Sequence, residues 1–516
     1  MFDWHKKEKP LQGLAGLGGG LASGLGGGLG EDVYWWNIAN SNMNLGGKAV
    51  AVDNAGNLYV AAAISGLAKG QVTCFDKEGD ILWTHKDDSS YFEDIVLDGL
   101  GHVYALSGSI YDPSNSIGQN DHQPILVKLN TSDGSEAQYS GGSEDGVDWR
   151  KMFHTTYNST PCHSTGVRCD SSGNPIVACL PRLSGVQAMP AAVKFNKDTG
   201  AATWATRLED SASGSANYMN EDGPGGIAVD SNDNVILCGW KSVSMGLTNS
   251  NYGFWVTKIA SDGGSITWKK YFAATGGTSQ PISRSKCFVD KNDNVYVSAN
   301  WTNTTPDELY TLVVKLNSSG VVVWARVVVS DTAAGSHIKN ASNYTGPGAT
   351  DSSGNVFISA WVANCQSPNM GGSGDNCIFK FDSDGNNLEV IAIGNNGEDY
   401  PGGLAVNKLG NIVIAAQSSI TTSMNILVAQ LPGDMSITGG PYSGHGGNIY
   451  VRKPSSEPTD STWTNTNVMT DSTLVLTEGG TWTNQSYDDF ASEMTYATNT
   501  ATPGTGEDPG APITIS

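Results

Sequence analysis

Along most of this chain apolar and polar positions alternate in short runs, broken every few residues by Asp, Asn, Ser and Gly. Period-two runs bounded by such residues predict half-buried strands joined by tight turns. One run recurs seven times: AVAVDNAGNLYVAA, DIVLDGLGHVYALS, GVRCDSSGNPIVAC, GIAVDSNDNVILCG, KCFVDKNDNVYVSA, GATDSSGNVFISAW and GLAVNKLGNIVIAA, anchored at Asp53, Asp98, Asp170, Asp230, Asp290, Asp351 and Asn407. Each copy predicts a hairpin. The anchor carboxylate can accept from backbone N–H groups two residues on, and Gly or Asn at the end of the turn tolerates positive φ. A third strand follows, as in ILVKLN at Ile125, AAVKFN at Ala191, WVTKIA at Trp255, LVVKLN at Leu312 and CIFKFD at Cys377. After another tight turn a fourth strand carries Trp83, Trp204, Trp268 or Trp324, each four residues after a Gly.

Four short antiparallel strands per repeat, seven times over, predict an all-β fold, a seven-bladed β-propeller. From anchor to anchor the spacings run 45, 72, 60, 60, 61 and 56 residues. A four-stranded blade needs roughly 40 to 50, so the excess belongs in loops. The longest insertion lies between Asp98 and Asp170 and includes SGGSEDGVDWRKMFHTTYNSTPCHS; generous loops also follow Trp240, Trp301 and Trp361, and these are expected to gather on one face. The seventh repeat lacks a Trp strand. EDVYWWNIAN, ahead of the first anchor, resembles one, so Tyr34, Trp35 and Trp36 are expected to close the seventh blade and leave the ring no free edge. A competing choice for that outer strand is SITGG, Ser436 to Gly440.

Three regions follow from this ladder: residues 1–30, a propeller over 31–440, and a Thr/Ser-rich C-terminal extension over 441–516. The first is a short aromatic and basic head, MFDWHKKEKP, followed by a Gly/Leu/Ala run. A flexible linker is one reading. Linkers favour Ser and Thr, however, whereas this run repeats Leu14, Leu17, Leu21, Leu25 and Leu29, and such leucines on bare backbone, with Trp4 in the head, suit docking into a neighbour's groove. The extension holds two TWTN copies, which read either as short strands packing on the ring or on another chain, or as a partly disordered tail.

Charge narrows the partners. With 51 acidic against 29 basic residues the net charge is −22, which repels nucleic acid and anionic membrane. No run approaches a transmembrane span and the N-terminus shows no secretory h-region. Four of the eight cysteines, Cys74, Cys179, Cys238 and Cys287, fall in strand runs, where a thiol behaves as a small hydrophobe. The loop pairs Cys162/Cys169 and Cys365/Cys377 are the ones worth testing for a bridge.

Candidate chemistry is sparse. The sequence contains no GxSxG elbow, HExxH, P-loop or dinucleotide fingerprint, and its eight histidines are scattered singly, so the expectation is that the chain is not an enzyme and carries no cofactor. Acidic turns invite calcium, and Asp382, Asp384 and Asn386 form the best candidate, without the downstream Glu of a full loop. Lys128, Lys194, Lys258, Lys315 and Lys380 share one repeat position and are read as solvated strand residues, outward or beside an acidic turn.

Three resemblances follow from these motifs. The ladder resembles bacterial β-propeller repeats of the SBBP and NHL-like kind, in which D-x-x-G-N-V-Y-V precedes a V-x-K-L strand and a G-x-x-x-W strand; it covers residue 33 to about 431 and implies the propeller fold. NKDTGAATW, Asn196 to Trp204, is similar to the tryptophan-docking motif of quinoprotein propellers, with Asn196 where those enzymes have Asp. The head leading into P-L-Q-G-L-A-G-L-G-G-G resembles the starts of virion structural and tail proteins of marine tailed phages. That likeness implies a phage tail or tail-fibre component in the virion, synthesised in the host cytoplasm. It also implies other virion proteins as partners through the N-terminal segment, a host-surface glycan or protein as a further partner, and a larger oligomeric assembly. The alternative is a bacterial cell-surface module that binds glycan or protein, and after it a quinoprotein-like enzyme.

Overall fold

The computed structural model describes residues 35–39, 45–64, 69–87, 92–107, 124–140, 146–155, 162–181, 190–210, 226–243, 251–273, 283–302, 309–328, 348–363, 374–386, 389–395, 397–419, 425–436, 439–444, 447–452, 482–484 and 494–498. These form seven blades of four antiparallel strands. The first strand in the chain is β1 (Trp35–Ala39). Blade I is β2 (Leu45–Val52), β3 (Leu58–Ile64), β4 (Lys69–Phe75) and β5 (Ile81–Asp87). Blade II is β6 (Phe92–Leu97), β7 (His102–Ser107), β8 (Ile125–Asn130) and β9 (Arg150–Thr155). Blade III is β10 (Cys162–Cys169), β11 (Pro175–Pro181), β12 (Ala191–Phe195) and β13 (Ala202–Asp210). Blade IV is β14 (Ile227–Val229), β15 (Val235–Val243), β16 (Asn251–Ile259) and β17 (Ile266–Ala273). Blade V is β18 (Ser283–Val289), β19 (Val295–Thr302), β20 (Leu309–Leu316) and β21 (Val322–Val328). Blade VI is β22 (Gly348–Thr350), β23 (Val356–Ala363), β24 (Gly374–Phe381) and β25 (Glu389–Gly394). Blade VII is β26 (Asp399–Val406), β27 (Ile412–Ser418), β28 (Asn425–Leu431) and, as its outer strand, β1.

The first strand of each blade touches the first strand of the next, and β26 touches β2, so the inner strands close a ring around an axis. β1 pairs antiparallel with β28, Trp35 opposite Gln430 and Ala39 opposite Ile426; Tyr34 lies outside the described residues, as do Trp4 and Leu14 to Leu25. Ser436–Gly440 does not supply the outer strand of blade VII. Its end instead begins a hairpin, β29 (Gly439–Gly444) and β30 (Gly447–Arg452), and β30 adds to β25 of blade VI. The propeller sheets therefore run past residue 440. In the extension, β31 (Trp482–Asn484), which falls in the second TWTN copy, pairs with β13, and β32 (Met494–Thr498) pairs with β9.

Why the repeat folds this way is visible at each anchor. Asp170 Oδ1 accepts the backbone N–H groups of Ser172 and Asn174 at 3.0 and 2.7 Å, its Oδ2 accepts Asn174 Nδ2 at 3.0 Å, and the other anchors repeat the motif. Five copies place Gly in the positive-φ position of this turn. Blades IV and V place Asp233 and Asp293 there, at φ 62° and 61°, a conformation an L-residue adopts at a cost. Both are used across blades: Asp233 accepts from Ser171 N and Oγ at 2.7 and 2.7 Å, and Asp293 from Ser231 N and Oγ at 2.8 and 2.7 Å.

The fourth-strand tryptophans also join neighbouring blades. Trp204 Nε1 donates to Ser261 O at 3.1 Å and its ring lies over Gly263 of blade IV, where a Cβ would clash. Trp83, Trp268 and Trp324 dock in the same way on the next blade. Gly200, in the quinoprotein-like stretch, carries Tyr139 of blade II. Part of the long insertion in blade II is strand: Trp149, fully buried against Tyr104, leads into β9.

Candidate functional site

In a four-stranded meander the first-to-second and third-to-fourth turns fall on one face, and the remaining connections leave from the other. Apart from the longer β8–β9 connection of blade II, the turn face is therefore built of short capped hairpins, whereas the long segments 108–123, 211–225 and 329–347 join strand ends at the loop face. β1 runs antiparallel to β28, and its Trp35 end lies by Gln430, next to the turn that follows β28. The chain thus enters the propeller from the turn face.

The inner strands have no hydrogen-bonded neighbour on their axial side, so residues exposed there face the channel. One residue before each anchor the position is mostly apolar and half-buried: Val52, Leu97, Val229, Val289 and Val406. Nearer the loop face the composition changes. Four residues before the anchor, Gly226 and Gly403 let adjacent inner strands approach; a Cβ on Gly226 would lie 2.9 Å from Cys287 N and 3.0 Å from Lys286 Cα. In blades II and V the same position holds Asp94 and Lys286, and one residue earlier blades I and II hold Lys48 and Glu93. Lys48 and Glu93 are skipped in the register of their strands, each a bulge, and bulges re-aim side chains.

These charges form a graded network. Asp94 Oδ2 accepts Val167 N–H and Arg168 Nη1, each at 2.9 Å, which staples blade II to blade III. Burial pushes the Glu93 carboxyl up, opposed by the charges of Lys48 and Lys286. Burial pulls the Lys286 ammonium down, opposed by Asp94, Cys238 and Glu93. Glu93 and Lys286 thus act on each other's ionisation, yet among the described residues no hydrogen bond or ion pair joins either to a partner.

A second polar cluster sits where blades VI and VII meet on the loop face. Asp399 is fully buried and accepts Asn395 N–H at 2.7 Å, Asn395 Nδ2 donates to Ser418 Oγ at 2.6 Å, and Asp375 Oδ1 and Asp399 Oδ2 converge over Gly394. Burial, with Glu398 adding to it, pushes the Asp399 carboxyl up to about 7, against the lowering effect of the Ser418 and Asn395 hydrogen bonds. Trp361 stacks on Tyr400 beside it, centroids 5.8 Å apart. With Asp399 and Asp375 0% and 1% exposed, this cluster is an internal joint.

The calcium candidates and the lysine column are engaged within the fold. Asp382 Oδ1 accepts the N–H groups of Asp384 and Asn386, and Asn386 Oδ1 accepts Arg326 Nη2 at 3.0 Å. A guanidinium thus holds the amide oxygen that a calcium ion would need. In the lysine column Lys128, Lys258 and Lys315 are buried rather than solvated, Lys194 and Lys380 are half-buried, and the position beside an acidic turn holds for Lys194 and Lys258. Lys194 and Lys258 each lie 2.6 Å from their own anchor carboxylates, Asp170 and Asp230, and Lys315 donates to Ser383 O of the next blade at 2.9 Å. Cys169 and Cys377 are free thiols, so neither loop pair is bridged. Sequence reasoning missed the channel charges, although aligning the seven copies on their anchors exposes the change from Gly or Ala to Lys, Glu and Asp.

No protein-family model matches the chain and no curated protein sequence matches it. Solved structures do. The polysaccharide lyase Uly1 is 9% identical, with 75% of this chain and 90% of that one covered at a TM-score of 0.45. The Dos1 propeller is 9% identical, covering 77% and 78%, TM-score 0.38. The β-propeller domain of the Trilobed protease from Pyrococcus furiosus, described as having an open velcro topology, is 6% identical, covering 74% and 93%, TM-score 0.38. At this distance the likeness speaks to fold alone. It does correct one expectation. Propellers similar to this one include a lyase and a domain of a protease, so the lack of familiar catalytic motifs does not make this chain a non-enzyme.

Proposed function

We propose that this chain is a structural component of a phage virion, held in the tail by its N-terminal segment and the turn face of its propeller, with the loop face turned to the host surface. The observation that carries the reading is the asymmetry of the two faces. The chain enters β1 from the turn face, which supports a dock for residues 1–30 on that side. The large apolar side chains that stand exposed among the described residues, Ile81, Leu82, Leu100, Val147, Val321, Val323 and Leu409, are all in or beside hairpin turns of that same face. Five of the seven belong to blades VII, I and II, around the point of entry. Single exposed apolar residues are ordinary, but a group beside a tether suits an assembly contact. The loop face, with its long connections and charged channel mouth, is left for recognition. The resemblance of the first residues to phage tail proteins agrees with this division.

The test is incorporation. Replacing Leu14, Leu17 and Leu21 with Ser should remove the chain from purified particles, as measured by mass spectrometry, while leaving the melting of the isolated propeller unchanged. Normal incorporation of that variant, or absence of the wild-type chain from particles, would overturn the proposal, the latter in favour of a cell-surface binding module.

A further inference from the structure

After blade VII the C-terminal extension travels back around the ring. Its strands add to the outer strands of three blades, β30 to β25 of blade VI, β31 to β13 of blade III and β32 to β9 of blade II. All three additions share one geometry. An outer strand runs from the turn face to the loop face, and each added strand pairs antiparallel with its last residues, 392–394, 208–210 and 151–155. In chain order the extension visits blades VI, III and II. This descending walk passes blades V and IV, where no described strand covers the outer edge. The spacing leaves room for a stop at each. From Tyr450 on blade VI to Trp482 on blade III is three blade steps of about eleven residues, and from Trp482 to Met494 on blade II is one step of about twelve. Even steps put the two skipped positions near residues 461 and 472. Two segments with strand composition stand there: the first TWTN copy, 462–465, whose second copy supplies β31, and the alternating STLVLT, 472–477.

The receiving edges suit a strand. β17 and β21 are paired on their inner side to the last residue, Ala273 opposite Gly253 and Val328 opposite Thr311. Neither contains proline, so every backbone N–H remains available. At the loop-face ends, where the other blades receive the extension, they read Tyr271, Phe272, Ala273 and Arg326, Val327, Val328. The one charge among these does not guard the edge, because Arg326 is buried and donates to Gly385 O and Asn386 Oδ1 of blade VI. A bare apolar edge is a template for another strand. Residues 453–481 are tethered on both sides of these two blades and reach about 100 Å when extended. We propose that the outer edges of blades V and IV take residues 462–465 and 472–477 of this same chain as fifth strands, so that the extension belts the ring from blade VI to blade II. The belt closes those sides of the ring to strand addition by neighbouring proteins and leaves the two faces for contact.

Hydrogen–deuterium exchange of the full chain, read by mass spectrometry beside a light-scattering mass, provides the test. In the monomer, 462–465 and 472–477 should exchange about tenfold or more slowly than the same sequences as free peptides. Alternate residues of a strand face the partner, so adjacent prolines break the pairing in either register. The double variant Leu474→Pro with Val475→Pro should speed exchange about tenfold or more in 472–477 and also in 271–273 of β17, with β5 of blade I unchanged. Trp463→Pro with Thr464→Pro should do the same for 462–465 and 326–328, and it serves as the second variant if the first does not fold. Free-peptide exchange of either segment in the wild type would overturn the belt. So would a folded proline variant whose facing outer strand exchanges as before, and so would protection found only in a dimer, which would give the edges to a second copy. None of these results reads incorporation into particles, so the belt and the tail placement can fail separately.

Discussion

Asp399 opens the innermost strand of blade VII with no exposed surface, and among the described residues no cation contributes to its ionisation. Its carboxyl is pushed up to about 7, whereas in the unfolded chain it titrates near 3.9. A folded-state value above the unfolded one means that the fold favours the neutral acid. The stability this contributes is fully present below about pH 4 and is lost as pH rises through about 7. Three units at about 1.4 kcal/mol each put the loss at about 4 kcal/mol by pH 8, a large part of an ordinary folding free energy. Asn at this position copies the neutral acid: its oxygen can still accept the Asn395 N–H and its amide can donate toward Asp375. The Asp399→Asn variant should therefore show a flat urea midpoint between pH 5 and 8, where the wild type declines, and should be the more stable protein at pH 8. Parallel pH profiles, or a variant weaker than wild type at pH 8, would refute the argument that this joint holds a proton.

Three further outcomes follow from the same geometry. Deleting residues 1–40 removes β1 and bares the edge of β28, so it should lower the melting temperature and promote aggregation, whereas deleting 1–30 should do neither; equal melting temperatures would place ring closure elsewhere. Trp204→Ala should cost about 3–5 kcal/mol by urea unfolding, the cost of emptying a buried aromatic site, and a loss below about 1 kcal/mol would mean that the belt of docked rings is not a source of stability. Asp230 lies below the ordinary carboxylate range because the hydrogen bonds from Lys258 and Asn234 outweigh its burial, so its stabilising pair with Lys258 is present at neutral pH and lost as pH falls through the carboxylate range. Lys258→Met should accordingly cost about 3–5 kcal/mol at pH 7 and far less at pH 3, and an equal cost at both would sink the pairing.

The blades were legible because their signal is local and repeated. An Asx turn needs its Asp and its Gly or Asn within five residues, and the flanking strands alternate on either side, so each copy can be read alone and confirmed by six others. Blade II shows where this fails: its Trp149 stands fifteen residues after Gly134 rather than four, so the spacing rule treated its fourth strand as loop. The lysine column was legible as a column but not as buried, since burial comes from the neighbouring blade, as when Lys315 reaches Ser383. The joint of Asp375 and Asp399 and the staple of Asp94 on Val167 and Arg168 unite residues from different strands or blades, and no single-copy pattern brings them together. The use of Asp233 and Asp293 across blades was not legible either, since their carboxylates are engaged by the serines of the preceding blade.

The central claim is that this propeller stands on its turn face and recognises with its loop face. Cryo-electron microscopy of purified particles tests it most directly. The account predicts a seven-bladed ring at the tail with the β1 entry point and Leu82, Leu100 and Leu409 against neighbouring protein and the mouth of the channel open to solvent. A ring whose loop face is packed into the tail while its hairpin turns face outward would contradict it.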